Sequence, residues 1–213
     1  MSHNKKGSTE NHYFSSSPTS EIKYGLIHTK FFDKKFEFIT ASNVFSKHHI
    51  DTGTQLLIES MILPEEGSVL DIGCGYGAVG IVAATINSKL HVYMTDINTR
   101  AISLAKKNIV KNRIVNAKVQ CGHLYDPVKN LKFDCILSNP PVSAGMETVK
   151  TIITEATKNM QIGATFEMVI RSKIGAKIFP ELFIKTFGNC TVIARKSGFR
   201  VLLGKYCNKN NET

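Results

Sequence analysis

Three observations predict an α/β fold: a Rossmann-like sheet, mostly parallel with an antiparallel final hairpin, and helices on both faces. Short apolar runs alternate with amphipathic segments from about residue 68 onward. A glycine-rich turn, Gly73-Cys74-Gly75-Tyr76-Gly77, joins the first of these runs to a segment of small residues. The last two apolar runs are separated only by Lys196-Ser197-Gly198. Alternation of this kind calls for parallel strands with crossover helices. The final gap is too short for a crossover, so it must close an antiparallel hairpin.

Each element has its own warrant. Residues 1–20 are rich in Ser, Asn, Thr and Lys, offer little to bury, and are expected to be a disordered polar tail. Residues 21–213 are expected to form one domain that opens with a hairpin and a helix. The hairpin is read from residues 26–40, which alternate around Asp33-Lys34-Lys35. Asp51 can cap a helix running through Ile62, with Leu56, Leu57, Met61 and Ile62 on its apolar face. Pro64 and Gly67 then punctuate the passage into the glycine-rich unit. Strands are expected at 68–71, 91–95, 117–120, 133–138, 164–170, 190–195 and 199–205, and helices at 78–86, 99–110, 148–160 and 175–187.

Composition narrows the class. The chain has 213 residues, 42% of them hydrophobic, and no tryptophan, which is ordinary for a soluble α/β protein. No apolar run approaches the roughly 20 residues that span a bilayer, and the start is polar rather than signal-like. No membrane role is expected, and the setting is read as cytoplasmic. Cysteines 74, 121, 135, 190 and 207 are scattered singly and several lie in apolar runs, which suits buried free thiols in a reducing compartment. The formal net charge of +10 attracts polyanions. On charge alone, nucleic acid contact and simple solubility both remain open.

Gly75-Tyr76-Gly77-Ala78-Val79-Gly80 fits the dinucleotide pattern GxGxxG, with Asp96 roughly where a ribose acid belongs. Two further details favour S-adenosylmethionine. Asp71, at the strand end, would repel a pyrophosphate and attract an amino acid ammonium. Asn139-Pro140-Pro141 ends the fourth strand, where a hydride-transfer site has no use for it. Taken singly, Asp71 is also readable as a turn acid, Asp96 as a helix cap and the double proline as a rigid turn.

In this combination the chain resembles the class I S-adenosylmethionine-dependent methyltransferases. Residues 71–77 look like their first motif, Asp96 like their second, and Asn139-Pro140-Pro141 like their fourth. The resemblance implies that Asp71, Gly73, Cys74, Gly75 and Gly77 face the methionine part of the cofactor. It implies that Asp96 holds the ribose hydroxyls with Ile97 beside it, that His123 meets adenine, and that Asn139 lies at the cofactor and the acceptor together. No metal is called for.

Methyl transfer from a sulfonium is an in-line displacement, so positioning and charge stabilisation dominate the task. An exocyclic base amine is a poor nucleophile because its lone pair conjugates with the ring. Hydrogen bonds from it to the Asn139 side-chain carbonyl and the Pro140 backbone carbonyl would draw the nitrogen toward tetrahedral geometry. Pro141 would stiffen the turn. Asn139, Pro140 and Pro141 are therefore the expected catalytic group, acting on an amine or amide nitrogen.

Adenine- and glutamine-modifying relatives usually carry an aromatic residue after the two prolines; this chain has Val142-Ser143-Ala144-Gly145. That step resembles the ribosomal RNA guanine exocyclic-amine methyltransferases of the small-subunit family, although Ser143 stands where a basic residue is common. The same family is matched by Val44-Phe45-Ser46-Lys47, by residues 50–57, and by Asp96-x-Asn98-x-Arg100-Ala101. Arg171-x-Lys173-x-Gly175-Ala176 and residues 197–202 extend the likeness to about residues 25–206. Asn43 replaces the family's glycine before Val-Phe-Ser, an exchange that suits a left-handed backbone.

Larger family members carry a second domain. Without it, recognition is expected to use the tail, residues 31–46 and Lys47, Lys106, Lys107, Lys111, Arg113, Arg171 and Lys173. A duplex guanine must leave its stack to reach Asn139, so an RNA loop or an immature small ribosomal particle is the expected partner. A protein glutamine or DNA adenine methyltransferase, and an inactive cofactor- or RNA-binding module, are the alternative readings.

Overall fold

The computed structural model describes residues 21–140, 145–175 and 177–207. The polar tail, Pro141-Val142-Ser143-Ala144, Ala176 and the last six residues lie outside the described residues.

Alternating apolar residues give β1 (Tyr24–Phe31) and β2 (Lys34–Ala41), paired antiparallel across Phe32-Asp33. Both turn residues are left-handed, at φ 48° and 63°, the turn geometry that matches strand twist. The main sheet follows: β3 (Gly67–Ile72), β4 (Leu90–Asp96), β5 (Ala117–Cys121), β6 (Phe133–Ser138), β7 (Met160–Arg171), β8 (Thr191–Lys196) and β9 (Phe199–Lys205). Its spatial order is β5-β4-β3-β6-β7-β9-β8. All neighbours are parallel except β9, which is antiparallel to both β7 and β8. The helices are α1 (Thr52–Ser60), α2 (Ala78–Ile86), α3 (Thr99–Lys111), α4 (Met146–Glu155) and α5 (Ile178–Phe187).

Strand β3 shows why Val69, Leu70 and Ile72 are all apolar. Val69 joins the core shared with the hairpin, α1, α2 and α3, whereas Leu70 and Ile72 join the core shared with α4 and α5. A parallel strand buried on both faces has no polar side to display. Helix α2 is buried from Ala78 through Ala84, and small residues let it lie close to the sheet. A Cβ on Gly80 would sit 2.6 Å from both Met94 Cγ and Sδ and 3.2 Å from Asp71 Oδ2.

The hairpin does not join the main sheet. Its free edge is met by two asparagines, Asn108 in α3 and Asn112 at the cap that ends it. Asn108 accepts from the Ile39 N–H at 2.7 Å and donates to the Ile39 carbonyl at 3.0 Å. Asn112 accepts from the Glu37 N–H at 3.1 Å and donates to the Glu37 carbonyl at 2.8 Å. Each amide imitates one strand residue, satisfying backbone groups that would otherwise be buried without partners. Phe38 reaches across to Tyr76, with ring centroids 5.8 Å apart.

Several element boundaries differ from the sequence expectation. Helix α1 stops at Ser60, and Ile62 is 54% exposed rather than on the buried face. Pro64 disfavours helix in the residue before it, and the Ile62 N–H donates instead to the Glu167 carboxylate at 3.0 Å. Helix α4 ends at Glu155; Ala156–Asn159 is a 3₁₀ turn, and Met160 already pairs with Phe133 in the sheet. Helix α5 begins at Ile178, after the left-handed Gly175. Of the five thiols, Cys74 and Cys135 are buried, Cys190 is half-buried, and Cys121 and Cys207 are exposed. Among the described residues, no helix is long and apolar enough to cross a membrane.

Candidate functional site

The strand order reverses direction at β3, with β4 on one side and β6 on the other. Open α/β sheets bind ligands outside the carboxyl ends of their strands at such a point. A cavity of about 830 Å³ lies there, within the size range of small-molecule sites. Asp71, Gly73, Cys74, Gly75, Asp96, Ile97, His123, Asn139 and Pro140 all line it.

Gly77 is the exception among the described candidates. It caps the start of α2 at φ 93° and is not in the lining; a Cβ there would press on Ile81, Ala105 and Met94. Its position serves packing and the helix start. Pro141 is outside the described residues.

The glycine turn is held by its own hydrogen bonds. The Gly73 and Cys74 N–H groups both donate to the Thr95 carbonyl, at 2.8 and 3.0 Å. The Gly75 N–H donates to Asp96 Oδ2 at 2.8 Å, and the Gly77 N–H to the Cys74 carbonyl at 2.9 Å. At the first turn of α2, the Gly80 N–H donates to Asp71 Oδ2 at 2.9 Å. A pyrophosphate cradle needs such amides aimed at the ligand. Here these five are spent inside the protein, and two carboxylates stand beside them.

The environments of those carboxylates differ from that of a surface acid. Asp71 is 1% exposed. Burial pushes its carboxyl up to about 7, with Asp96 adding to the rise and the Gly80 N–H opposing it. Burial also raises Asp96, against hydrogen bonds from the backbone of Asn98, Gly75 and Ile97. One Asp96 oxygen holds the glycine turn and the other accepts the Asn98 N–H at 2.8 Å, tying the turn to the start of α3.

These features fit S-adenosylmethionine. Asp71 offers buried negative charge to an ammonium, and Asp96 offers acceptors beside the β4 end. Gly75, at φ 57°, has no atom within 4 Å of where a Cβ would stand, so the turn is open to a ligand on that side.

The opposite wall comes from residues distant in sequence. Asn139 follows β6, and its Nδ2 donates to Thr54 Oγ1 at 2.8 Å and faces both Asp51 oxygens at 3.4 Å. Asp51 caps α1 by accepting the Gly53 and Thr54 N–H groups through Oδ1, and its Oδ2 accepts the Thr54 hydroxyl. Val44, Phe45, Ser46 and His49 add to this wall, as do Arg171 and Phe199, whose guanidinium and ring are 5.2 Å apart. Phe45 is 50% exposed. Asn43 is left-handed at φ 60°, as its exchange for glycine required. The segment it starts is anchored to α3, where the Arg100 Nη1 donates to the Ser42 carbonyl at 2.9 Å and Asn98 to the Asn43 carbonyl at 3.2 Å.

Sequence reading assigned Asp51 to a helix cap and did not anticipate the contacts of Thr54 and His49 with this space. The spacing Asp51-x-x-Thr54 was the available signal, because it puts both side chains on the first turn of one helix. Of the basic residues expected to meet RNA, only Arg171 lines the cavity. Lys107 lies over the Tyr24 ring at 4.9 Å, and Lys111 pairs with Glu37 at 2.9 Å. Those two fasten the hairpin to α3.

Comparison with known proteins yields consistent matches. The family model described as the methyltransferase small domain matches residues 35–203. The uncharacterized protein YbxB of Bacillus subtilis (strain 168) is 33% identical over 196 residues, covering 91% of this chain and 98% of that protein. Ribosomal RNA small subunit methyltransferase C of Cronobacter sakazakii is 30% identical over 166 residues, covering 76% of this chain and 47% of that protein. The chain thus spans about half the length of the relatives bearing that name. The T. Thermophilus 16S rRNA N2 G1207 methyltransferase, solved in complex with AdoMet and guanosine, superposes with a TM-score of 0.76 at 19% identity. That match covers 89% of this chain and 52% of the other, and shows a shared fold.

Proposed function

The chain belongs to the methyltransferase small domain family and is an S-adenosylmethionine-dependent methyltransferase; we propose that it methylates a guanine exocyclic amine in RNA, within small-subunit ribosomal RNA. The observation that carries this reading is the placement of Asn139 and Pro140 on the same cavity as Asp71, Asp96 and the glycine turn. In this reading residues 21–213 work as one catalytic domain.

When bound, S-adenosylmethionine supplies a methyl group on a sulfonium. Asp71 receives the ammonium, Asp96 the ribose hydroxyls, and Gly73, Cys74, Gly75 and Ile97 shape the pocket, with His123 at its adenine end. Asn139 Oδ1 and the Pro140 carbonyl accept the two hydrogens of the acceptor amine. They would hold its nitrogen in line and stabilise the positive charge it gains as the C–N bond forms and the methyl C–S bond breaks, the bonding pair staying on sulfur as a neutral thioether. A proton then leaves the methylated nitrogen for solvent. The half-exposed Phe45 offers a planar face on which a flipped base can stack. Arg171 and the net charge of +10 favour a phosphate backbone at the cavity mouth.

Names carried by the relatives favour small-subunit ribosomal RNA, and the missing aromatic after Pro141 weighs against adenine or glutamine. The test is incubation with radiolabelled S-adenosylmethionine and separate small-subunit RNA, DNA and ribosomal-protein fractions, followed by nucleoside analysis. Label in RNA as N2-methylguanosine is expected. Label confined to protein or DNA would sink the proposal, and cofactor binding without transfer to any fraction would mark an inactive module.

A further inference from the structure

Asn139 can help an amine react only if its amide presents oxygen, not nitrogen, to the incoming group. Rotation of the amide by half a turn exchanges an acceptor for a donor at nearly the same place, and a donor would repel the amine hydrogens. Something must choose between the two orientations.

We propose that Asp51 and Thr54 are positioning residues that fix the orientation of the Asn139 amide and so make its oxygen the acceptor for the substrate amine. This rests on the reading of Asn139 given above. A carboxylate such as that of Asp51 has acceptors only. Its Oδ1 is committed to the Gly53 and Thr54 N–H groups, at 3.0 and 3.2 Å. Its Oδ2 takes the one proton of the Thr54 hydroxyl. With that proton directed away, Thr54 Oγ1 presents lone pairs, and Asn139 Nδ2 donates to it at 2.8 Å. The same Nδ2 faces both Asp51 oxygens at 3.4 Å. A flipped amide would set Oδ1 against a carboxylate and a hydroxyl whose proton is already used. Polarity therefore passes from Asp51 through Thr54 to Asn139 and ends at Oδ1, on the opposite side of the amide.

A cap needs only Asp51 and two N–H groups. The hydroxyl of Thr54 and the approach of Asn139, 85 residues further along the chain, exceed that need. All three side chains line the same cavity.

The substitutions T54V, T54S, D51N and N139A separate the roles. T54V keeps shape and removes the hydroxyl; T54S restores it. D51N keeps an oxygen for the cap but puts a donor where Oδ2 stood. With labelled S-adenosylmethionine and small-subunit ribosomal RNA, T54V and D51N are expected to lower kcat by about 10- to 100-fold. T54S should stay within about threefold of the parent, and cofactor affinity should be unchanged in all. In the N139A background T54V should add no further loss, because residues acting through one group are not additive.

A readout without acceptor is the Asn139 side-chain NH₂ signal in ¹⁵N-labelled protein, assigned by its disappearance in N139A. T54V should shift it and T54S should not. Parent-like kcat in T54V and D51N beside an impaired N139A would overturn the clamp and leave Asn139 in place. Parent-like kcat in N139A would remove Asn139 and the clamp together. Should no RNA be labelled, an unmoved NH₂ signal in T54V would still overturn the clamp, and a moved one would support it.

Discussion

The two walls of the cavity are built on opposite plans. The wall proposed for the cofactor is nearly continuous in sequence: the residues from Asp71 to Gly80 fold back on themselves, and Asp96 closes the arrangement from the next strand. The wall proposed for the acceptor is assembled from side chains, with α1, the segment before it and the end of β6 each contributing. A turn with three of its five amides on backbone carbonyls depends on side chains only at Asp71 and Asp96. A wall of side chains can alter its acceptor by single substitutions. On the proposed function, this division says where each kind of change should act.

The comparison breaks first at Asn139. Asn139→Ala is expected to lower turnover about 100-fold or more, the scale of losing an oriented polar contact in a transition state. Cofactor affinity, measured by calorimetry, should remain near the parent value. A matching loss of cofactor affinity would show that the walls are not separable.

On the other wall, Asp71→Asn should weaken cofactor binding about tenfold above neutral pH, with kcat at saturation less affected. The pH dependence has a definite sign. Burial holds the Asp71 carboxyl near 7, and only its ionised form attracts an ammonium. Cofactor affinity should therefore rise as pH increases through about 7 and level off above it. The Asn variant should lose that rise, a difference that titration calorimetry at several pH values resolves.

A smaller effect is expected at Phe45. Phe45→Ala should raise the half-saturating RNA concentration about fivefold through lost stacking, leaving cofactor affinity unchanged. Filter-binding and turnover assays would read both quantities. An RNA response equal to that of the parent would assign stacking elsewhere on the acceptor wall.

Least of all should Glu167 matter to either ligand. It lies beneath α1 with its carboxylate on the Ile62 N–H, and burial pushes it from 4.5 up to about 8. The fold favours its neutral form, so its contribution to stability is present below 4.5 and is lost as pH rises toward 8. Glu167→Gln should flatten that decline in thermal melts by a few degrees, on the scale of about 1 kcal/mol. An unchanged melting profile across this range would show that Glu167 does not carry the dependence.

The same division explains what could be read from sequence. Strands β3, β4, β6 and β9 and helix α2 were evident because burial on both faces, or a turn of glycines, leaves an unbroken local pattern. The residues that line the cavity from the glycine turn and the end of β4 were legible for the same reason, whereas Gly77 lies outside the lining and serves α2 packing. Helix α4 was extended too far because apolar spacing continues through Met160, although the sheet claims that residue through Phe133. Ile62 was misplaced because Glu167, from a strand far along the chain, captures its N–H. The acceptor wall was only half legible. Asn139 stood in a motif, but the partners of its amide are 85 and 88 residues away, beyond any local pattern.

Asn108 and Asn112, which border the hairpin, also have a consequence at a distance. Residues four apart on a helix rise about 6 Å, and residues two apart on a strand rise about 6.8 Å. The two asparagines thus act as a vernier, reading the pitch of α3 against the pitch of β2 and agreeing at Ile39 and Glu37. A slip of one residue would meet side chains instead of backbone and turn Phe36 and Phe38 outward. Their register fixes where residue 42 leaves the hairpin, and so how far into the cavity mouth Phe45 is carried.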